Sequence, residues 1–318
     1  MWTDALRSLR EVLPGAELIQ DDAPGGELAA GAYEEKPCTR AVRLVEGTAL
    51  RAIPVPGAPE VRFAGFLDGI QRVRIPTHHH GVPIVLAMTG AAVRVRRGRR
   101  MVAWGHMEPV MRWRIYIPWG CMDERPRERA GRFEIVDTTP PGADGGVHPA
   151  ALYAIALERV GADREELEVM LAERWCATEG EPLLVDGSIT ASRAVAAAPA
   201  AVGVVKSHTT LHATGSGIRT VLGLARGERT PVFVVERGGR GAVDSWYLRV
   251  RDPRGHDPMF GLVRVEVAHG ERDVGRRADE VSRWILGEGS PLALPDARWD
   301  RMVYGIRDCE EFLRAVAQ

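Results

Sequence analysis

The chain has 318 residues, enough for one sizeable core or a core with a small appendage. Its 42 basic and 43 acidic residues nearly cancel, so no whole-chain field draws it to nucleic acid or membrane, and any polyanion site has to be a local patch. No apolar run approaches the roughly 20 residues that cross a bilayer, the first residues lack the apolar stretch of a signal peptide, and four dispersed cysteines (Cys38, Cys121, Cys176, Cys309) without a CxxC pair fit a reducing cytoplasm and no zinc knuckle.

In chain order, residues 3–13 (TDALRSLREVL) predict a short amphipathic helix with Thr3 as its N-cap. Positions 14–40 are rich in Gly, Pro and Asp and read as an irregular linker. Between 41 and 75, RAVRLVE and VRFAGFLDGIQRVRI have the composition of strands. PIVLAMTGAAVRVRRGRRMVAWG then predicts a hairpin turning at Arg97-Gly98-Arg99. The charged stretch 123–147 predicts a loop. His148 to Ala177 is helical, with a break expected near Gly161 and a restart capped by Asp163. LLVDGSI, AVGVVKS, TPVFVVE, SWYLRVR and FGLVRVEV follow as five strands, and a helical stretch from about Asp296 to Val316 closes the chain. Strands in clusters, with helices between and after them, indicate a mixed α/β layer fold.

Two of these stretches share a design. FAGFLDGI around Asp68 and EPLLVDGSIT around Asp186 are apolar strand-like runs that end in Asp-Gly. An ionised carboxylate at the end of a buried strand is costly unless something pairs with it, and the glycine lets the backbone turn and a ligand come close. Brought together on neighbouring strands, the two carboxylates would hold a divalent cation. Magnesium and manganese take hard oxygen ligands, and a pair of such ions can clamp the attacking and leaving oxygens of a phosphodiester.

A third ligand is expected from a helix packed on the sheet. In DREELEVMLAERW the apolar stripe is Leu167, Met170, Leu171 and Trp175. At about 100° per residue, Glu168 sits at the stripe's edge and Glu166 flanks the other edge less closely. Either glutamate also fits an ordinary solvated helix face, and either Asp-Gly also fits a simple turn.

The ordered pieces LEVMLAERW and LLVDGS (Leu167 to Ser188), VGVVKS at 202–207, WYLRVR at 246–251 and LVRVEV at 262–267 resemble the NurA family of nucleases, and FLDGIQ at 66–71 resembles that family's first Asp-Gly motif. The similarity runs in order over roughly residues 60–318. The resemblance implies an RNase-H-like mixed sheet flanked by helices, here with an extra β-hairpin and an N-terminal helix. It implies a nuclease domain over 51–318, preceded by an N-terminal helix and linker or dimerisation segment over 1–50. It also implies a homodimeric, Mn2+- or Mg2+-dependent DNA nuclease that works with a HerA-type hexameric ATPase in DNA end processing or phage defence. Carried over by motif, Asp68, Glu168 and Asp186 would be metal ligands, with Lys206 beside them to steady a phosphate or developing charge. Tyr247 matches a family aromatic to which no role attaches.

One position departs from the family. Where its C-terminal segment has Ala-His opening a helix, this chain has PLALPDARWDRM, so Arg298 stands in the histidine's place. An arginine holds phosphate but does no acid–base chemistry near neutral pH. His256 and His269 are candidate substitutes. The departure leaves two further readings open: a catalytically weakened adaptor that binds or loads the translocase, and a nuclease acting on RNA or RNA–DNA hybrids.

Only Lys36 and Lys206 among the basic residues are lysine, an arginine excess that a GC-rich coding sequence explains. Arg94, Arg96, Arg97, Arg99 and Arg100 form the densest basic run, a finger able to neutralise DNA phosphates without reading sequence, or equally a solvated hairpin. In His78-His79-His80 adjacent side chains alternate across a strand, so at most two could share an ion. GSGIRT at 215–220 lacks the Lys-Ser/Thr of a nucleotide-binding loop, and VDGSI lacks the spacing of a serine nucleophile elbow.

Overall fold

The computed structural model describes residues 2–13, 17–18, 36–98, 100–106, 109–122, 129–143, 146–236, 241–288 and 304–317. The chain opens with α1 (Trp2–Val12), followed by the two-residue strands β1 (Glu17–Leu18), β2 (Cys38–Thr39), β3 (Arg43–Leu44) and β4 (Ile53–Pro54). Then come the long strands β5 (Gly65–His79) and β6 (Val82–Arg97), joined at His80-Gly81, where both residues have positive φ as a tight hairpin turn requires. After β7 (Arg100–Ala103) and β8 (Val110–Ile117), β9 (Arg129–Ala130) and β10 (Phe133–Asp137) lie inside the stretch expected to be a loop.

Helix α2 (Pro149–Thr178) runs unbroken through Gly161. The reason is its stripe: Leu152, Ala156, Val160, Leu167, Leu171 and Trp175 are all buried at helical spacing. That burial outweighs the ~1 kcal/mol that an interior glycine costs. Asp163 is therefore no cap. It is a buried acceptor for Tyr116 Oη at 2.7 Å and Arg114 Nη1 at 2.6 Å. The second half of the chain gives β11 (Leu183–Asp186), α3 (Arg193–Ala196), β12 (Ala201–Val205), β13 (Thr210–Leu211), α4 (Ser216–Leu222), β14 (Glu228–Arg229) and β15 (Phe233–Glu236). β16 (Ala242–Arg249), β17 (Leu262–Ala268), α5 (Val274–Glu288) and α6 (Tyr304–Val316) complete it.

The result is an α/β fold built on mixed sheet flanked by helices. It divides into two units, and β5, β6 and α2 contribute residues to both. One unit takes residues 1–34, 69–91 and 110–167. In it β6 pairs antiparallel with β8, and β10 pairs parallel with β8. Ala5, Leu9 and Leu13 of α1 pack against Ile84, Leu86, Ile115 and Ile117 on one sheet face, and Ala156 and Val160 of α2 pack against Val85, Ala87 and Tyr116 on the other.

The second unit takes residues 35–68, 92–109 and 168–318. Its strands are ordered β3-β15-β16-β17-β12-β11-β5, with β11 parallel to β5 and to β12, and the remainder antiparallel. Phe66, Leu184, Val202, Val204, Trp246 and Val265 share one face with Val281, Trp284 and Ile285 of α5 and Ile306 of α6. The opposite face meets the end of α2: a Cβ at Gly65 would lie 2.7 Å from the Trp175 ring and 3.0 Å from Leu183 Cδ1. Glycine at 65 is thus required by the close approach of an indole.

Candidate functional site

Leu183 lies opposite Gly65, Leu184 opposite Phe66 and Val185 opposite Leu67. Carried one residue further, this parallel register sets Asp186 beside Asp68, on strands about 4.8 Å apart. Register partners point to the same face, and alternation puts these two on the face of Phe66 and Leu184, beneath α5 and α6. On the next strand, β12, Asp186 is opposite Val204. Lys206, two residues on, returns to the same face, and its Nζ donates to Asp186 Oδ2 at 2.6 Å. Asp68 is buried, whereas the Lys206 and Asp186 side chains keep 19% and 16% of their surface and so remain open to solvent.

The loop after Asp186 is fixed from the other face. Gly187 adopts φ +125°, a conformation that L side chains rarely adopt, and its N–H donates to Val204 O at 3.0 Å. The chain then folds over Gly203, where a Cβ would lie 2.8 Å from Gly187 O and 3.2 Å from Ile189 Cγ2. Glu266 of β17, fully buried, accepts from Ser188 Oγ at 2.8 Å, from the Ile189 N–H at 2.9 Å and from Arg264 Nη1 at 2.5 Å. A buried carboxylate needs such partners, and in this position it clamps the segment that carries Asp186.

Asp68 is covered by α6. The Cys309 thiol donates to Ala92 O at 3.2 Å, and burial followed by the nearby charge of Asp68 pushes its pKa well above the usual thiol value. Next to it, Asp308 accepts from Arg94 Nε at 2.6 Å. Arg96 makes a two-pronged ion pair with Glu288 of α5, at 2.7 and 2.5 Å, and stacks over Phe66. Arg94 and Arg96 do share one face of the strand, but it is the inward one. Their guanidiniums tie β6 to α5 and α6 instead of reaching into solvent as a finger. Arg97 and Arg100 are exposed, and Arg99 lies outside the described residues.

Glu168 of α2 is half-buried. It stands two turns before Trp175, whose ring packs on the Gly65–Leu183 face. Glu166 is exposed and paired with Arg112 at 3.0 Å. Among the described residues no three His, Cys, Asp or Glu side chains gather as ligands of one ion. Arg298 lies outside the described residues. His269 bonds Asp244 at 2.7 Å, at the end of β17 away from Leu262, while Lys206 is two residues past Val204, which pairs with Val265. His256 stacks on Phe260. Tyr247 is buried, and its hydroxyl accepts from the His212 N–H at 2.8 Å.

Sequence reading missed Glu266, Glu288 and Asp308. Glu266 was visible as an acid between two valines of an apolar strand, the same signature that singled out Asp186. No family model matches the chain, and no curated protein matches it. No helix among the described residues is long and apolar enough to cross a membrane.

Proposed function

We propose that this chain is a divalent-metal-dependent DNA nuclease of the NurA kind, homodimeric and cytoplasmic, acting on DNA beside a HerA-like hexameric ATPase. The observation that carries the reading is the adjacency in register of Asp68, near the start of β5, and Asp186, at the end of the parallel β11, with Lys206 just past β12. The donor set fits the ion. Magnesium-type cations take one or two protein carboxylates and complete their shell with water and substrate phosphate oxygens. Asp68 and Asp186 would hold Mn2+ or Mg2+, which when bound supplies Lewis acidity and an activated water.

The chain's own residues do the rest. Asp186, partly open to solvent, meets the substrate side, and buried Asp68 anchors the pair from beneath α6. Lys206 offsets the mutual repulsion of the carboxylates before substrate arrives. Once a phosphate enters, its ammonium can turn to the non-bridging oxygens. Glu266 keeps the Asp186 loop in place through Ser188 and Ile189. Arg298 stands where the family has a histidine, and its contribution is a fixed positive charge for phosphate.

The test is cleavage of linear duplex and single-stranded DNA by purified protein with Mn2+, alone and with its ATPase partner. Asp68→Ala and Asp186→Ala should each abolish it. Cleavage that persists in both variants, or absent in the wild-type protein under both conditions, sinks the reading.

A second reading, the non-catalytic adaptor, draws on the Lys206–Asp186 ion pair, which already satisfies one carboxylate. Calorimetric titration with Mn2+ separates the two. An adaptor shows no binding that depends on Asp68 and Asp186.

A further inference from the structure

The hairpin of β6 and β7 carries a cavity of about 610 Å³ lined by Val95, Arg97, Val102, Ala103, Trp104 and Gly105. Ligand sites typically span roughly 300–1,000 Å³. Val95 pairs with Val102 and Arg97 with Arg100, so these four side chains share one face of the hairpin. It is the face opposite to Arg94 and Arg96, the latter of which lies over Phe66 on the aspartate side. Arg97 and Arg100 are exposed, Val102 is 40% exposed, and among the described residues no acid lines the cavity. Trp104 forms a wall: its Nε1 donates to Glu179 at 2.8 Å, its ring lies 5.4 Å from that of Trp175, and the Arg174 guanidinium lies 5.4 Å from its centroid, bringing a further cation to the site.

An aliphatic floor, a fixed indole and two solvent-facing guanidiniums are the parts that take an unpaired nucleotide. Its base lies against the apolar surface and the indole, and its phosphate meets the arginines. A neutral apolar peptide would leave both cations unused, and a duplex offers no free base face. We propose that this face of the hairpin is a binding site for single-stranded nucleic acid, set on the other side of the sheet from Asp68 and Asp186. The site deepens the nuclease reading and rests on it for the class of ligand. It retains the unpaired strand away from the acids.

The experiment measures fluorescence anisotropy of a labelled oligo(dT) and of a blunt duplex of equal length, with EDTA present so that binding is read without cleavage. Val102→Glu, at an exposed position, and Trp104→Ala should each weaken oligo(dT) binding about tenfold while changing duplex binding less than twofold. The double variant Arg97→Ala, Arg100→Ala should lower the slope of log affinity against log salt by about 1.4. Circular dichroism reports folding of Trp104→Ala, and Val102→Glu keeps the test decisive if that variant unfolds. Unchanged oligo(dT) binding by Val102→Glu, or equal losses on both probes, overturns the site alone. Wild-type protein that binds neither probe overturns the site and the nuclease reading together.

Discussion

The Lys206 ammonium and the Asp186 carboxylate meet at 2.6 Å across two neighbouring parallel strands, one residue beyond the register that aligns β11 with β5. This contact gives the acidic pair its resting state. The cation that a nuclease would bind has to share Asp186 with an ammonium already in place.

Replacing that ammonium separates the two roles of Lys206. Lys206→Met should raise Mn2+ affinity several-fold, about 3–10-fold, because a competing positive charge is gone. It should lower DNA cleavage at saturating metal. Calorimetry and a cleavage time course check this, and unchanged affinity would show that the ion pair does not oppose metal binding.

Glu266 is a buried clamp, and removing one partner of a buried ion pair leaves the other uncompensated. Glu266→Ala should destabilise the protein by about 3–5 kcal/mol. Glu266→Gln, which keeps the acceptor for Ser188 and Ile189, should cost less. Urea unfolding gives both values.

At Gly203 the lack of a side chain is a requirement of space. Gly203→Ala puts a Cβ 2.8 Å from Gly187 O. Overpacking of this kind costs about 1–3 kcal/mol, and it should impair cleavage as well, since the displaced loop carries Asp186. Gly161 is the opposite case, because a Cβ there meets nothing within 4 Å. Gly161→Ala should stabilise the protein by about 0.5–1 kcal/mol, read as a shift in the urea midpoint.

Tyr116 sets an alkaline limit. Burial, and then its hydrogen bond to Asp163 and that group's charge, push the phenol pKa above its usual value. The folded state therefore holds this proton more tightly than the unfolded state does. The stability it contributes is complete below about pH 10, the unfolded value, and is lost as pH rises from there toward the folded value. Unfolding free energy should fall as pH rises above about 10, and Tyr116→Phe should reduce that slope. An unchanged slope would assign the loss to other groups.

Local signals in the sequence carried the strands well. An apolar run ending in Asp-Gly marks the end of β11, where Gly187 turns the chain, but at Asp68-Gly69 the strand runs on to His79, because Gly69 keeps an extended conformation inside a long paired strand. Arg97 does pair with Arg100 across the expected hairpin turn. Contacts between distant residues were illegible. Arg94 and Arg96 read as a solvent finger because Asp308 and Glu288, the acids that turn them inward, lie 214 and 192 positions away. The helix of 149–178 hid its continuity behind Gly161, whose intrinsic cost is overridden by packing that no local window contains. The strand Phe133–Asp137 alternates as a half-buried strand should, with Phe133 and Ile135 buried, but the surrounding charges masked it.

The strands β5 and β6 and the helix α2 each pass through both units, and Asp68 is the last residue of β5 before the chain changes unit. The acidic pair thus cannot be excised as a contiguous gene fragment: a truncation that keeps Asp186 and discards the first half of the polypeptide also discards Asp68 and the strand on which β11 aligns. Evolution, like a protein engineer, has to inherit this centre whole.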